Sequence, residues 1–256
     1  MKKAPENKIF PEISDSIDIA ADIIRSFFGI HTPFRFKNEY KRNPFSYFRK
    51  IIEQNGIAVF QLYGVNLSEM RGLAISYDDL PIICINSCDS NNAKVFTLFH
   101  ELAHILRRTS SLCLVDFTDK GEEHICNEIA ASVLMPRLIF SEVAQQRAVI
   151  DDDFISELSD HFAVSRLAVV VRLYNLGLIS REEYRGFYAK YSFEPRKKTT
   201  GGGPSFIDGY LSKHGTLYVK TIFDAYENNL ISFGESCLEL GIKSKWFEGL
   251  RKKIYV

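Results

Sequence analysis

Apolar and polar positions follow two rhythms along the chain. Ile17, Ile19, Ala20, Ile23, Ile24 and Phe27 recur at helical spacing, and Asp15 stands where it can cap a helix running about Ser16 to Phe28. Pro33 and Pro44 punctuate the next stretch, and a second helix is expected over Phe45–Asn55, ending at Gly56. The texture then turns to short runs rich in β-branched and aromatic residues. Ile57–Tyr63 (IAVFQLY), Gly72–Tyr77 (GLAISY) and Pro81–Asn86 (PIICIN) each read as a strand, with a turn at Asp78-Asp79 and a loop over Ser87–Asn92. The pattern of PIICIN fits a sheet edge able to receive an extended peptide and a fully paired core strand equally well.

Helical spacing returns from Ala93 to about Arg108. It resumes after a polar loop in Glu122–Met135, which Pro136 stops, and again in Arg137–Arg147. Asp152–Phe162 and Ser165–Leu176 have the spacing of a helix–turn–helix spanning residues 152–178, Gly177 closes the second helix, and Ser180–Tyr191 forms another. Residues 192–205 (SFEPRKKTTGGGPS) read as a linker, and 206–256 as a set of short helices. Three short strands leading into helices predict an α+β fold with a small mixed or antiparallel sheet, not a βαβ repeat.

The 256 residues are 46% hydrophobic and 25% charged, which excludes collagen-like and wholly disordered chains. Lys+Arg and Asp+Glu are 32 each, so no dominant basic surface for nucleic acid is expected. The longest aliphatic run, Leu167–Val171, is far below the ~18 residues of a membrane span. MKKAPENKIFPEI has no apolar stretch behind its lysines, so a secretory signal is not expected there. Five cysteines (Cys84, Cys88, Cys113, Cys126, Cys237) without a CxxC fit reduced thiols and a cytoplasmic protein.

One segment carries chemistry: Val95-Phe96-Thr97-Leu98-Phe99-His100-Glu101-Leu102-Ala103-His104 contains HExxH in a helical run. Positions four apart share a helix face, so His100 and His104 can share a divalent ion, while Glu101 is displaced around the helix towards water bound there. Two imidazoles and a carboxylate in an apolar helix are costly to desolvate without a partner, and a cation offsets that cost. A catalytic zinc needs a third protein ligand. The metzincin extension would place Gly at 107 and His at 110, where this chain has Arg107 and Ser110. A carboxylate on the following helix is the other solution. Glu122, Glu123, His124 and Glu128 all qualify by spacing, with Asn127 one turn beyond Glu123 and able to orient it.

FTLFHELAHIL, followed about twenty residues later by E-x-x-C-N-x-I-A-A-x-x-L-M-P, resembles the ImmA/IrrE family of metallopeptidases. The resemblance extends over about residues 57–256 and leaves the first 50 without a signature. It implies a zincin-like metallopeptidase domain at 57–191, with His100 and His104 as metal ligands, Glu123 as the third ligand and Glu101 as catalytic base. Cys126 and Ile129 stand where Ala and Phe are usual, a change of packing more than of chemistry. Residues 1–56 then form an N-terminal helical segment and 206–256 a C-terminal helical region. The implied cofactor is Zn²⁺, with Mn²⁺ or another divalent ion able to replace it because a His₂Glu set is weakly selective. The implied partner is a separate Xre-type helix–turn–helix repressor, cut to relieve transcriptional repression in a stress response, mobile element, toxin–antitoxin or phage-defence locus.

The remaining signals are weaker. His124 and Tyr77 are candidates for a second oxyanion donor. The second helix of the helix–turn–helix pair has only Arg166 and Arg172 as basic residues, so it suits packing or docking better than base readout. Arg196-Lys197-Lys198 and Arg251-Lys252-Lys253 read as solvated charge, and His31, His161 and His214 as isolated. The rival to a peptidase is a regulatory or DNA-associated binding module with a structural or vestigial metal site. Such a site has no need of Glu101.

Overall fold

The computed structural model describes residues 10–31, 43–77, 80–108, 120–192 and 205–255. Within them the chain is α+β and mostly helical, around one three-stranded sheet. Helix α1 (Ile17–Phe27) begins at Ser16, not Asp15; the Asp15 carboxylate is drawn instead towards the Arg107 guanidinium, 3.5 Å away. Helix α2 (Pro44–Gln54) starts on Asn43, whose side chain accepts the Ser46 amide at 3.1 Å, while Pro44 brings no N–H that needs a partner.

Strands β1 (Ala58–Leu62), β2 (Gly72–Ile75) and β3 (Ile82–Asn86) lie in the order β1-β3-β2. β3 runs parallel to β1, with Ala58 opposite Ile82, and antiparallel to β2, with Gly72 opposite Ile85. PIICIN is therefore the middle strand. Its edge alternative is overturned, because both flanks are paired and Ile83 and Ile85 are fully buried.

Helix α3 (Asn91–Leu106) packs on β2 and β3 and against α2. It starts at Ser90, whose hydroxyl accepts the Ala93 amide at 3.2 Å. From Val95 onwards every residue but Phe96 is buried. Phe48 of α2 meets Phe99 edge-on, ring centroids 5.0 Å apart. Helix α4 (Lys120–Leu134) lies along α3 and also carries α1 on its side.

Helix α5 (Arg137–Ala144) leads to α6 (Asp152–Phe162) and α7 (Arg166–Asn175). The last two join at Ala163, whose φ of 49° is left-handed. Two donors fix this turn through the Val164 carbonyl: Ser159 Oγ at 2.6 Å and Asn92 Nδ2, from the first turn of α3, at 3.1 Å. Helix α8 (Arg181–Tyr191) opens with a reciprocal Ser180–Glu183 capping box. One apolar core runs from Ala20 to Tyr191 and joins all of these elements.

A second apolar cluster, around Val219, Phe223, Leu240, Phe247 and Leu250, organises α9 (Phe206–His214), α10 (Thr216–Glu227), α11 (Phe233–Leu240) and α12 (Phe247–Tyr255). Its seam with the first core is polar. Arg49 donates to the carbonyls of Ser212, at 2.5 Å, and Val59, and pairs with Glu53 at 3.3 Å. Glu53 in turn accepts the Thr216 amide at 3.0 Å, and Gln61 donates to Ser212 O at 2.8 Å. Gly215 passes this seam at φ 82°, where an added Cβ would lie 2.7 Å from Val59 O and nearer still to Glu53 Oε1.

The Asp78-Asp79 turn, Cys113, Arg196-Lys197-Lys198 and almost all of the 192–205 linker lie outside the described residues. In the other basic cluster, Arg251 pairs with Glu227 at 2.6 Å and Lys253 with Asp208 at 3.2 Å. No helix among the described residues is long and apolar enough to cross a membrane.

Candidate metal centre

His100 and His104 stand one turn apart on α3, and both are buried. Their Nε2 atoms face each other at 3.1 Å. α4 begins with the acidic pair Glu122-Glu123, in the first turn where the helix dipole favours a carboxylate. The crossing of the two helices turns Glu123 onto both imidazoles: Oε2 lies 3.1 Å from His100 Nε2 and Oε1 3.3 Å from His104 Nε2.

These distances test whether a cation fits. Ligands about 2.0–2.1 Å from a tetrahedral zinc stand roughly 3.3–3.4 Å from one another. The two imidazole nitrogens and the two Glu123 oxygens, at 3.1–3.3 Å, stand close to that spacing, and two nitrogens with a carboxylate are a set that zinc takes. The donor set fits a divalent ion.

The two imidazoles are tuned apart. Burial, followed by repulsion from His100, pushes His104 down to about 4, which keeps its lone pair available at neutral pH. Burial also pushes His100 down, but hydrogen bonding to Glu123 and the nearby charge of Glu101 outweigh it and leave His100 above its ordinary value.

The other spacing candidates have different partners. Glu122 receives a two-pronged contact from Arg107, at 2.5 and 3.1 Å. It also belongs, with His104 and Cys126, to a second group of donor atoms within 4.8 Å of one another. Burial holds the Cys126 thiol far above its usual range, and the Arg107 fork covers the carboxylate, so this second group suits a metal less well. Glu128 accepts from Asn175 at 2.6 Å and lies 3.6 Å from Arg172. His124 is exposed at the rim of the cleft, and Tyr77, 59% exposed, does not line it. Asn127 lines the cleft with His100 and Glu123, and its amide is among the groups that raise His100.

Glu101 is 1% exposed and its carboxylate lies under β2. Here the backbone of Gly72 comes so close that an added Cβ would fall 2.5 Å from Thr97 Cγ2 and closer still to Glu101 Oε1. Sequence reasoning missed Gly72, although a glycine opening a strand is a sign of close backbone approach. His100, Glu101 and Glu123 open into a cleft of about 690 Å³. Its walls are the Leu67–Gly72 segment, α3, α4 and, unforeseen from the sequence, the face of α7 bearing Leu167, Ala168 and Val171.

No curated protein matches the chain. Residues 52–174 match the family model Peptidase_M78, the IrrE N-terminal-like domain. This stretch contains His100, Glu101, His104 and Glu123, and the match supports the resemblance to the ImmA/IrrE metallopeptidases that the motifs carry.

Proposed function

We propose that the chain is a zinc-dependent endopeptidase that makes a site-specific cut in a partner protein. The observation that carries this reading is the meeting of His100, His104 and Glu123 at 3.1–3.3 Å, with a buried Glu101 beside them in an open cleft. His100, His104 and Glu123 would hold the ion, and zinc is the metal whose usual donor set they match. When bound, such an ion supplies Lewis acidity, polarising a carbonyl and acidifying water. Glu101 acts as general base: its carboxylate takes one proton from the attacking water and passes it to the leaving amine as the C–N bond breaks. Its burial beneath Gly72 limits it to one geometry.

Among the described residues no strand lies on the far side of β2, and that edge suits an extended substrate. Asn86 N donates to Arg71 O at 2.9 Å, so Arg71 and Leu73 bond towards β3. The N–H and C=O groups of Gly72 and Ala74 therefore face away from β3, and a peptide added there runs past Glu101. The strand-addition idea moves from PIICIN to β2.

The division into a 1–56 segment, a 57–191 catalytic unit, a 192–205 linker and a 206–256 helical unit is part of the same reading; the two separate apolar clusters support a distinct 206–256 unit, whereas residues 1–56 and 57–191 share one core. The partner we infer is an Xre-type helix–turn–helix repressor in the cytoplasm; the support is the motif resemblance. A DNA-associated module with a structural or vestigial metal site is the weaker reading, because it leaves Glu101 without a task.

Co-expression with helix–turn–helix repressors encoded nearby, followed by mass spectrometry of the partner, tests the proposal. A metal-dependent cut is expected with the wild-type chain. Glu101→Gln should bind one zinc per chain and cut nothing. Wild-type cleavage by Glu101→Gln, or no cut in any protein by a fully zinc-loaded chain, overturns the reading.

A further inference from the structure

The cleft does not end at the three donors. It runs on along α7, between Phe96 on α3, Ala131 on α4 and the row Leu167, Ala168 and Val171. All five side chains are apolar and partly buried, and all but Val171 pack against the main core behind them. This extension plays no part in the proton transfers assigned to Glu101.

The far wall is fastened at both ends. At its start, Asn92 on α3 holds the Val164 carbonyl at 3.1 Å. One turn beyond Ala168, Arg172 is only 4% exposed. It donates to the Met135 carbonyl at 3.1 Å and to Ser132 Oγ at 3.0 Å, both at the C-terminal end of α4. Asn175 completes the attachment at Glu128. α7 is thus fixed to the same two helices that carry His100, His104 and Glu123.

We propose that α7 is the specificity wall of the cleft, and that it selects protein segments carrying a large apolar side chain within a few residues of the scissile bond. The inference rests on the peptidase reading above. An extended segment on the β2 edge projects alternate side chains across the cleft, and those reaching the Leu167, Ala168 and Val171 row meet carbon, with Ser165, Arg172, Asn175 and Glu128 at its margins. An apolar pocket distinguishes side chains by about 10- to 200-fold.

The test uses the full zinc-loaded chain and peptides made by digesting a whole proteome with a lysine-specific protease. Cut bonds are mapped by mass spectrometry. In parallel, peptides retained on immobilised Glu101→Gln chain are identified, a readout that needs no turnover. We expect Leu, Ile, Met and Phe to be enriched about 10-fold or more at one position near the cut and among retained peptides. Ala168→Phe fills the pocket and should shift the preference to Gly, Ala and Ser; if that variant does not fold, Val171→Asp should lower the apolar preference about 10-fold. Cutting and retention without apolar enrichment, or enrichment unmoved in a folded, zinc-loaded variant, overturns the specificity wall. Retention with the expected preference but no cutting by the wild type overturns the peptidase reading and leaves the wall standing.

Discussion

Gly72→Ala is the sharpest test of the site's construction. Gly72 sits in a strand without a positive φ, so alanine strains no backbone there, and the effect is one of space alone. The new Cβ would stand 2.5 Å from Thr97 Cγ2. Carbon atoms pack at about 3.5–4.0 Å, so relief needs roughly 1 Å of movement. Either β2 lifts from α3 or the Glu101 carboxylate is pushed aside. Overpacking of this kind costs about 1–3 kcal/mol, which for a chain of this length lowers Tm by about 2–12 °C. A misplacement of about 1 Å at the reacting centre costs roughly 100-fold in rate. The three donors lie on α3 and α4, away from the added methyl, so zinc stoichiometry should hold at one per chain while kcat/KM falls. Differential scanning calorimetry, metal analysis and peptide turnover on one preparation separate these effects. A variant that melts and cuts like the wild type would refute the claim that Gly72 sets the position of Glu101.

Further outcomes follow from other parts of the molecule. Glu123→Gln should weaken zinc binding by about 100-fold or more in competition with a chromogenic chelator, since even outer-shell partners are worth 10- to 100-fold; an equal loss from Glu128→Gln would contradict the assignment. At zinc 100-fold above its Kd the wild type should gain about 2.7 kcal/mol of stability, visible as a rise in Tm that EDTA reverses and that His104→Ala lacks. Arg172→Met should cost about 3 kcal/mol by denaturant unfolding, because Met135 O, Ser132 Oγ and Glu128 lose a buried donor together; an unchanged midpoint would show that the wall does not depend on it. Gly215→Ala should cost about 1–3 kcal/mol and speed hydrogen exchange in α9 and α10, and unchanged exchange there would mean that the seam tolerates a methyl group.

The most readable parts of the chain are those set by local spacing. HExxH in an apolar run places two imidazoles on one face whatever the rest of the fold does, and α3 presents them so. Strand positions were legible to within a residue or two, but their order was not. That β3 pairs with β1 in parallel and with β2 antiparallel depends on contacts far apart in sequence, which no window along PIICIN can reveal. The cap expected of Asp15 falls on Ser16 without a side-chain capping bond, while the Asp15 carboxylate stands 3.5 Å from Arg107, some ninety residues away. Spacing offered four acidic or imidazole candidates on α4. The helix crossing brought only Glu123 onto both histidines, because Arg107 holds Glu122 and Asn175 holds Glu128. Arg172 illustrates the opposite limit: spacing shows only one of two basic residues in an apolar helix, while its burial against Met135 O, Ser132 Oγ and Glu128 depends on contacts far along the chain.

The polar seam around Arg49 limits how the chain can be shortened. Ending it after Tyr191 would open that seam: the Arg49 guanidinium would lose the Ser212 carbonyl and the Glu53 carboxylate would lose the Thr216 amide. Water would take up those lost bonds at the opened seam, but β1 would lose the cover of α9 and α10, and Phe60 its ring contact with Tyr218. Anyone seeking a minimal catalytic fragment would first have to give the uncovered face of β1 a polar surface, and only then trim the tail.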